Sequence, residues 1–556
     1  MENTRNSLAV KFLPSLTDFA FLMPIVFLFA RMDGAKTLLG DCDTGWHIRT
    51  GEWIVSNHQV PARDVFSFSK AGEPWFAWEW LSDIVFAWLN HHGGLATVVL
   101  FSIVLIAVTF LLLFRMALHR ANPIVAVVVT MVATAASAIH WLARPHLFSL
   151  LFLVLFYRAL ENVREGRTRL WGVPYLALLP LGTILWTNLH GGFFVGILML
   201  AGYCAGEVLK MAFSADRSQV LAARVRGRNF FLSAVACGAA SLINPYFYHL
   251  HVHVVQYLFD PFQAQHISEF LTLNFHHPMA MFLEILLILG AGAAIWHAAQ
   301  GSYTEAVLLL MWGHAALLAS RNIPLFGIVA APVVASAVDA WLKRLPELEL
   351  AAWLRNAARR YLTTASEVAA IDGMARWHVV SIAAVALVAA LLYAPAPPKG
   401  FRSEYDPQAY PAGAIAMLRN DSGARIFTND EWGDYLIYRL YPGHRVFVDG
   451  RSDFYGDDFV QKYLDVMNVK YDWQTTLDRF GINTVLLSPE APLAGALKES
   501  SRWRVVYDDG IALIFQPAQK TTGETHSAAS ATGKEPGAAK PGARDGVVLS
   551  RTKFNT

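Results

Sequence analysis

Leu39-Gly40-Asp41-Cys42-Asp43-Thr44-Gly45-Trp46-His47 decides how this chain is read. It follows an apolar segment at 14–38 and opens a polar, aromatic stretch that runs to residue 92. The stretch continues through Pro61-Ala62-Arg63-Asp64 and Phe66-Ser67-Phe68-Ser69 to Trp78-Glu79-Trp80, and it carries seven acids. A bilayer protein seldom sets so many polar and aromatic groups at one boundary unless something binds there.

Outward from it, the chain is built for lipid. Of 556 residues, 55% are apolar and only 16% charged, where a soluble domain carries about 25% charged. Apolar runs recur at lengths that can cross a hydrocarbon core of about 30 Å. Eleven spans are expected, near 14–38, 93–114, 122–141, 146–160, 171–187, 191–211, 229–247, 279–298, 304–319, 323–342 and 377–394. Cys42, Cys204 and Cys237 form no disulfide framework, since two fall inside apolar segments and the third stands alone. The first apolar stretch shows no small-residue cleavage site, so a retained first helix is expected.

Lys and Arg set the orientation. An inside N-terminus gives the inner segments nineteen basic residues, among them Arg115, Arg120, Arg164, Arg226, Lys343 and Arg344. The outer segments then hold seven: Arg31, Lys36, Arg49, Arg63, Lys70, Arg144 and Arg321. That bias predicts a cytoplasmic N-terminus and an outer location from residue 395 onward. Residues 395–410 read as a Pro-containing linker. Beyond it, Ala424–Asn429, Arg445–Gly450, Asn483–Ser488 and Trp503–Gln516 read as strands. Ala412–Arg419, Asp457–Val469 and Trp473–Phe480 read as helices, which makes 411–517 a small α/β domain. Residues 518–556, rich in Ala, Gly, Ser, Thr, Lys and Pro, read as a disordered tail.

With that topology the unusual polar residues fall on one side. Asp41, Asp43 and His47 follow span one, and Glu79 precedes span two. Arg144 and His146 form the turn between spans three and four, and Asn188 and His190 the turn between five and six. Six histidines follow span seven, from His249 to His277. Arg321 lies between spans nine and ten. These groups suit transfer of a group from a lipid-linked phosphate. A carboxylate can take the acceptor proton. Arginine forks can hold phosphate oxygens and stabilise the charge that builds as phosphate leaves. Asp41 and Asp43 also form a pair that could hold Mg2+ or Mn2+, because hard cations prefer oxygen. The plainer readings stand beside these: Asp41 could cap a helix, Arg144 could snorkel, and the histidines lack metal spacing. Glu284 and His314, inside spans, are expected to face the bundle.

Asp41-Cys42-Asp43 after span one, the amphipathic stretch through Trp78-Glu79-Trp80 into span two, and an outer C-terminal domain together resemble the GT-C superfamily of integral membrane glycosyltransferases. The pattern from Asp41 to Leu81 also resembles an uncharacterised bacterial group of GT-C-like membrane proteins. The resemblance implies a polytopic α-helical membrane protein of about 11 helices, with residues 1–394 as the transmembrane domain and 39–92 as its first outer loop. It implies a polyprenyl-phosphate-linked sugar as donor, membrane lipid as surroundings, and a glycan, lipid or protein as acceptor, with no nucleic-acid partner. It implies a multi-pass protein of a bacterial inner membrane. Asp41 or Asp43 would be the catalytic carboxylate, with Glu79 as its partner. His47, Arg144, His146, Asn188, His190 and Arg321 would bind the donor.

Asn429-Asp430-Glu431-Trp432-Gly433-Asp434-Tyr435 resembles the Trp-Trp-Asp-Tyr-Gly signature of oligosaccharyltransferases. Glu431 stands in place of the first Trp and Gly433 separates Trp432 from Asp434, so recognition of an asparagine sequon is not implied. Trp432, Asp434, Tyr435, Asp449 and Arg451 would face the acceptor; a tight turn with an Asp–Arg pair is the bland reading of Asp449-Gly450-Arg451. Two other functions fit the same sequence. A transporter or flippase of a lipid-linked or polyanionic substrate would place ionisable groups near the bilayer midplane. A non-catalytic subunit of an envelope-glycan assembly would tolerate loss of both aspartates.

Overall fold

The computed structural model describes residues 12–372 and 377–518. The expected disordered tail falls almost wholly on 519–556, outside the described residues, as do Arg5, Lys11 and Arg376 of the charge count.

The described chain is mostly helical. Among its residues, Trp80–Arg120, Pro123–His140, His146–Arg164, Gly191–Phe213, Ala280–Ala299 and Ser320–Glu347 are long and apolar enough to cross a membrane. Tyr175–Leu189, Tyr303–Leu318 and Val379–Leu392 are apolar but shorter. The two other expected spans fall on the helices Leu16–Arg31 and Arg217–Ala240. The expected span at 93–114 begins where Trp80–Arg120 breaks. Gly93 and Gly94 leave helical geometry there, with Gly94 at φ +64, a left-handed angle that glycine tolerates. Before the break the helix carries Asp83, Asn90, His91 and His92; after it the sequence carries no charged residue up to Phe114.

The helix Ile323–Arg344 forms the middle of the bundle. It packs against Pro123–Ser137, Trp80–Arg120, Ala280–Ala299 and Tyr303–Leu318, and it is buried from Ile323 to Ala335. Buried polar side chains cluster at the two ends of the bundle. At one end, Arg164 forks onto Glu305 at 3.0 and 3.2 Å and also reaches Glu161 at 3.1 Å. Charges in an apolar bundle persist when they pair in this way. His314, expected to face the bundle, is exposed on Tyr303–Leu318.

The opposite end carries the C-terminal α/β region. Its sheet runs in the order Ile426–Phe427, Thr484–Leu487, Leu513–Pro517, Trp503–Asp508, the first pair parallel and the others antiparallel. Two expected strands take a different form. Trp503–Gln516 is a hairpin, because the turn signal Asp508-Asp509-Gly510 interrupts it, with Gly510 at φ +81. Arg445–Gly450 makes only single parallel bridges, from Val446 to Ser67 and to Ile426, because it is wedged between the first connecting segment and the sheet edge. Phe427, Phe447, Val485, Leu493, Leu513 and Phe515 form a separate core for this region.

Candidate active site

Two hydrogen bonds to the backbone of Ala143 and Leu38 join the first connecting segment to the second. Ala143 N–H donates to Leu38 O at 2.7 Å, and Thr44 Oγ1 donates to Ala143 O at 2.9 Å. Arg144 comes next in the chain, so its side chain is delivered onto the start of the helix Asp43–Asn57. Its Nη1 lies 3.1 Å from Asp41 Oδ2 and its Nη2 lies 2.7 Å from Asp43 Oδ2. One planar fork thus holds two carboxylates two residues apart.

A third acid enters from the segment after span seven. Glu269 sits in the short turn Ser268–Phe270. Ser320 holds that turn, its N–H donating to Leu271 O at 2.9 Å and its hydroxyl to Glu269 O at 3.1 Å. The neighbouring Arg321 then lies 3.3 Å from Glu269 Oε1, while Arg144 lies 3.8 Å from Glu269 Oε2. The Arg321 guanidinium also stands over the Phe270 ring at 4.6 Å, a cation–π contact.

The C-terminal region supplies a fourth. Phe68 N–H donates to Val446 O at 2.9 Å and Val446 N–H to Phe66 O at 3.0 Å, stitching the first connecting segment to this region. The helix Asp430–Leu440, capped by Asn429, packs on Asp43–Asn57 with Tyr438 against Gly45. Asp434 is buried and accepts from Gly450 N–H at 3.0 Å. A Cβ placed on Gly450 would meet Asp434 Oδ2 at 2.6 Å and Asp43 Oδ1 at 2.7 Å. The two carboxylates therefore flank one methyl-sized space, and only glycine leaves it open.

Electrostatics follow from this crowding. Burial drives the Asp41 carboxyl up to about 7 against the pull of Arg144. Burial, then Asp43, pushes Asp434 well above the ordinary range. Glu269 behaves oppositely: burial opposes its charge, yet Arg321 and Arg144 hold it at about 2, so it is ionised. Burial also works against the charge of Arg144, and Asp43, Asp41 and Glu269 more than offset it, raising its pKa well above the usual value.

Beside this cluster lies a second row. Gly51 allows Asp43–Asn57 to approach the backbone of Asp83. His47, one turn earlier on the same face, meets Asp83 Oδ1 at 2.7 Å through Nδ1 and faces Glu79 Oε2 at 3.5 Å through Nε2. His190 Nδ1 accepts from Gly192 N–H at 2.9 Å, so a neutral ring carries its proton on Nε2, 3.3 Å from Glu79 Oε1. Burial raises Glu79 to about 8, holds His190 at about 3 and keeps His47 well below its usual value. The row is thus uncharged at its centre at neutral pH.

Other residues singled out in the sequence are engaged within the protein. His146 Nε2 donates to His140 O at 2.9 Å. Asn188 accepts from Trp80 Nε1 at 2.8 Å and donates to Ile184 O and Ile243 O. Trp432 is buried and donates from Nε1 to Ala409 O at 3.0 Å, and the Tyr435 hydroxyl accepts from Arg439 at 3.1 Å. Arg451 is 3% exposed; it contacts Asp449 at 2.8 and 2.7 Å and Asp64 at 2.8 Å, and stacks over Trp75 at 4.4 Å. The histidines after span seven separate: His251 bonds Ser241 at 2.7 Å, and His253 meets Asp453 at 2.9 Å. Among the described residues, no group of three or more His, Cys, Asp or Glu side chains is placed to hold a metal ion.

Sequence reasoning missed Glu269 and Asp83. Asp83 carried a signal, since Glu79 and Asp83 stand four residues apart, one helical turn. Glu269 offered only a charge argument: Arg144 and Arg321 needed an acid, and 249–277 holds only Asp260 and Glu269.

Against known proteins, no family model matches this chain, and no curated protein matches it by sequence. Solved structures do match. The oligosaccharyltransferase AglB of Archaeoglobus fulgidus, in complex with an inhibitory peptide and a dolichol-phosphate, superposes with TM-score 0.53 at 11% identity. The match covers 93% of this chain and 74% of that one. An apo form of the A. fulgidus oligosaccharyltransferase gives 0.54 at 11% identity over 92% and 74%. A third structure, complexed with Zn and sulfate, gives 0.52 at 11% over 91% and 73%. At that identity the likeness establishes the fold, a multi-pass helical bundle with a C-terminal domain at one end.

Proposed function

We propose that this chain is a membrane glycosyltransferase that moves a sugar from a polyprenyl-phosphate carrier to an acceptor on the non-cytoplasmic face of a bacterial inner membrane. One observation supports this most. Asp41, Asp43, Arg144, Glu269, Arg321 and Asp434 come from four connecting segments and the C-terminal region, yet they meet in one cluster at one end of an apolar bundle. The fold shared with AglB, whose structure holds a dolichol-phosphate and a peptide, agrees with a lipid-linked donor.

The chemistry follows from the residues. Arg321 Nη1 is buried and, although 3.3 Å from Glu269 Oε1 as an ion pair, makes no hydrogen bond among the described residues, nor does buried Asp41 Oδ1. Arg321 and the remaining N–H groups of Arg144 hold the donor phosphate. The acceptor oxygen attacks the anomeric carbon, forming the new glycosidic bond. The bond from that carbon to the phosphate oxygen breaks, and its electron pair leaves on the phosphate. The acceptor proton passes to Asp43. The two guanidinia stabilise the growing phosphate charge, so no general acid is needed. Asp434 faces Asp43 across the gap and completes the wall on the acceptor side. Glu79, His47 and His190 form an uncharged lining behind the donor sugar. Arg451, Asp449 and Asp64 clamp the C-terminal region onto the first segment, and Trp432 and Tyr435 pack the helix that carries Asp434.

The test offers polyprenyl-phosphate sugars to the purified chain in liposomes with a crude envelope acceptor fraction. Release of polyprenyl phosphate, abolished in Asp43→Asn, is expected. Movement of intact donor across the bilayer without cleavage would favour a flippase. Neither activity, with in vivo function retained in Asp41→Asn and Asp43→Asn, would favour an assembly subunit.

A further inference from the structure

The A. fulgidus structure with Zn shows that this fold can carry a metal ion, and the Asp41–Asp43 pair invites one here. The side chains of this chain argue otherwise. We infer that Arg144 occupies the place a divalent cation would take, so that the carboxylate cluster formed by Asp41, Asp43 and Glu269 is held by a built-in guanidinium and binds no metal.

The geometry carries this. A hard divalent cation needs several oxygens within about 2.0–2.6 Å of one point. Asp41 Oδ2 and Asp43 Oδ2 instead face separate nitrogens of one fork, at 3.1 and 2.7 Å, and Glu269 Oε2 lies 3.8 Å from the same group. Arg144 is not a chance neighbour, because the bonds from Ala143 to Leu38 and from Thr44 to Ala143 fix its place in the turn. Glu269 is further engaged by Arg321 at 3.3 Å. A unit positive charge about 4 Å away, screened as near a protein surface, weakens a divalent cation's binding by a factor on the order of a million. Arginine is always charged and cannot yield the site by losing a proton. This rests on the residues alone and holds whether or not the chain transfers sugars.

The test is Mn2+ titration of the EDTA-treated, purified full-length chain, followed by the loss of the free-ion EPR signal. Wild type, Asp41→Asn and Asp43→Asn should titrate alike, with no stoichiometric site. Arg144→Ala should open the cluster and gain one site, at least about a hundredfold tighter than wild type, and Arg144→Ala with Asp43→Asn should lose it. A stoichiometric Mn2+ site in wild type that disappears in Asp43→Asn overturns the inference, as does a folded Arg144→Ala that gains none. If Arg144→Ala fails to fold, the wild-type comparison with the two aspartate variants decides alone. Failure here leaves the transferase reading to its own assay, since release of polyprenyl phosphate is measured separately.

Discussion

Gly450→Ala is the smallest change that reports on the proposed catalytic pair. The new methyl would sit 2.6 Å from Asp434 Oδ2 and 2.7 Å from Asp43 Oδ1. Ordinary contact begins near 3.4 Å, so each oxygen must withdraw by about 0.7–0.8 Å. Gly450 is exposed, not in the core, so the fold is little affected. Crowding of this size costs about 1–3 kcal/mol locally, and a misplacement near 1 Å in a reacting group costs on the order of 10²-fold in rate. The assay is the initial rate of polyprenyl-phosphate release at saturating donor. The expected result is a kcat lowered about a hundredfold, with the thermal midpoint within a few degrees of wild type. Gly423→Ala is the control: its methyl would meet only Asp421 Oδ1, at 3.8 Å, and should change nothing. A Gly450→Ala protein with wild-type kcat would show that the meeting of Asp43 and Asp434 has no part in the reaction.

Arg321→Ala should lower kcat/KM for the donor by about 10²–10³-fold, as loss of a buried charge-stabilising donor does; a loss under tenfold in steady-state kinetics would remove it from the phosphate site. Arg451→Ala leaves Asp64 and Asp449 buried and unpaired, so about 3–5 kcal/mol of stability should be lost in a denaturant titration; an unchanged midpoint would show that the clamp carries no load. Glu79 gives a pH signature. Its folded-state value of about 8 exceeds the ordinary 4.5, so its contribution is complete below 4.5 and fades as pH rises through about 8. Asp41 and Glu431, raised to about 7, slope the same way only up to that value. His190, lowered to about 3 from 6.5, adds a slope of opposite sign only between those values. Thermal stability should therefore fall more steeply between pH 7 and 8 in wild type than in Glu79→Gln, where the raised Asp434 still contributes a slope of the same sign; equal slopes in both would refute the assignment to Glu79.

Much of this architecture could be read from local pattern. The membrane class follows from apolar runs whose length matches a bilayer, and that signal needs no tertiary information. The approach of Arg144 to Asp41 and Asp43 was legible because both lie at the same end of adjacent spans, and topology alone brings such ends together. Asp434 was visible only as part of an aromatic, acidic helix start. Its approach to Asp43 depends on Val446 bridging Ser67, a pairing between residues far apart in sequence that no local pattern encodes. Glu269 was hidden for the same reason: its place is set by hydrogen bonds from the Ser320 hydroxyl and N–H to the Glu269 and Leu271 carbonyls, across two helices. Arg451 read as acceptor-facing or as half of a tight Asp–Arg turn, and its second partner, Asp64, went unseen because it lies in another segment. The expected strand at Arg445–Gly450 failed because β-branched and aromatic residues signal burial between layers as readily as ladder pairing.

The central claim is that side chains from separate connecting segments act as one catalytic unit. A double-mutant cycle on kcat/KM for donor cleavage, with Asp43→Asn, Arg144→Ala and the pair, measures that directly. Members of one unit give strongly non-additive losses, so the double variant should be little worse than the more damaged single one. Losses that simply multiply would mean that Asp43 and Arg144 work independently, and the shared site would have to be abandoned.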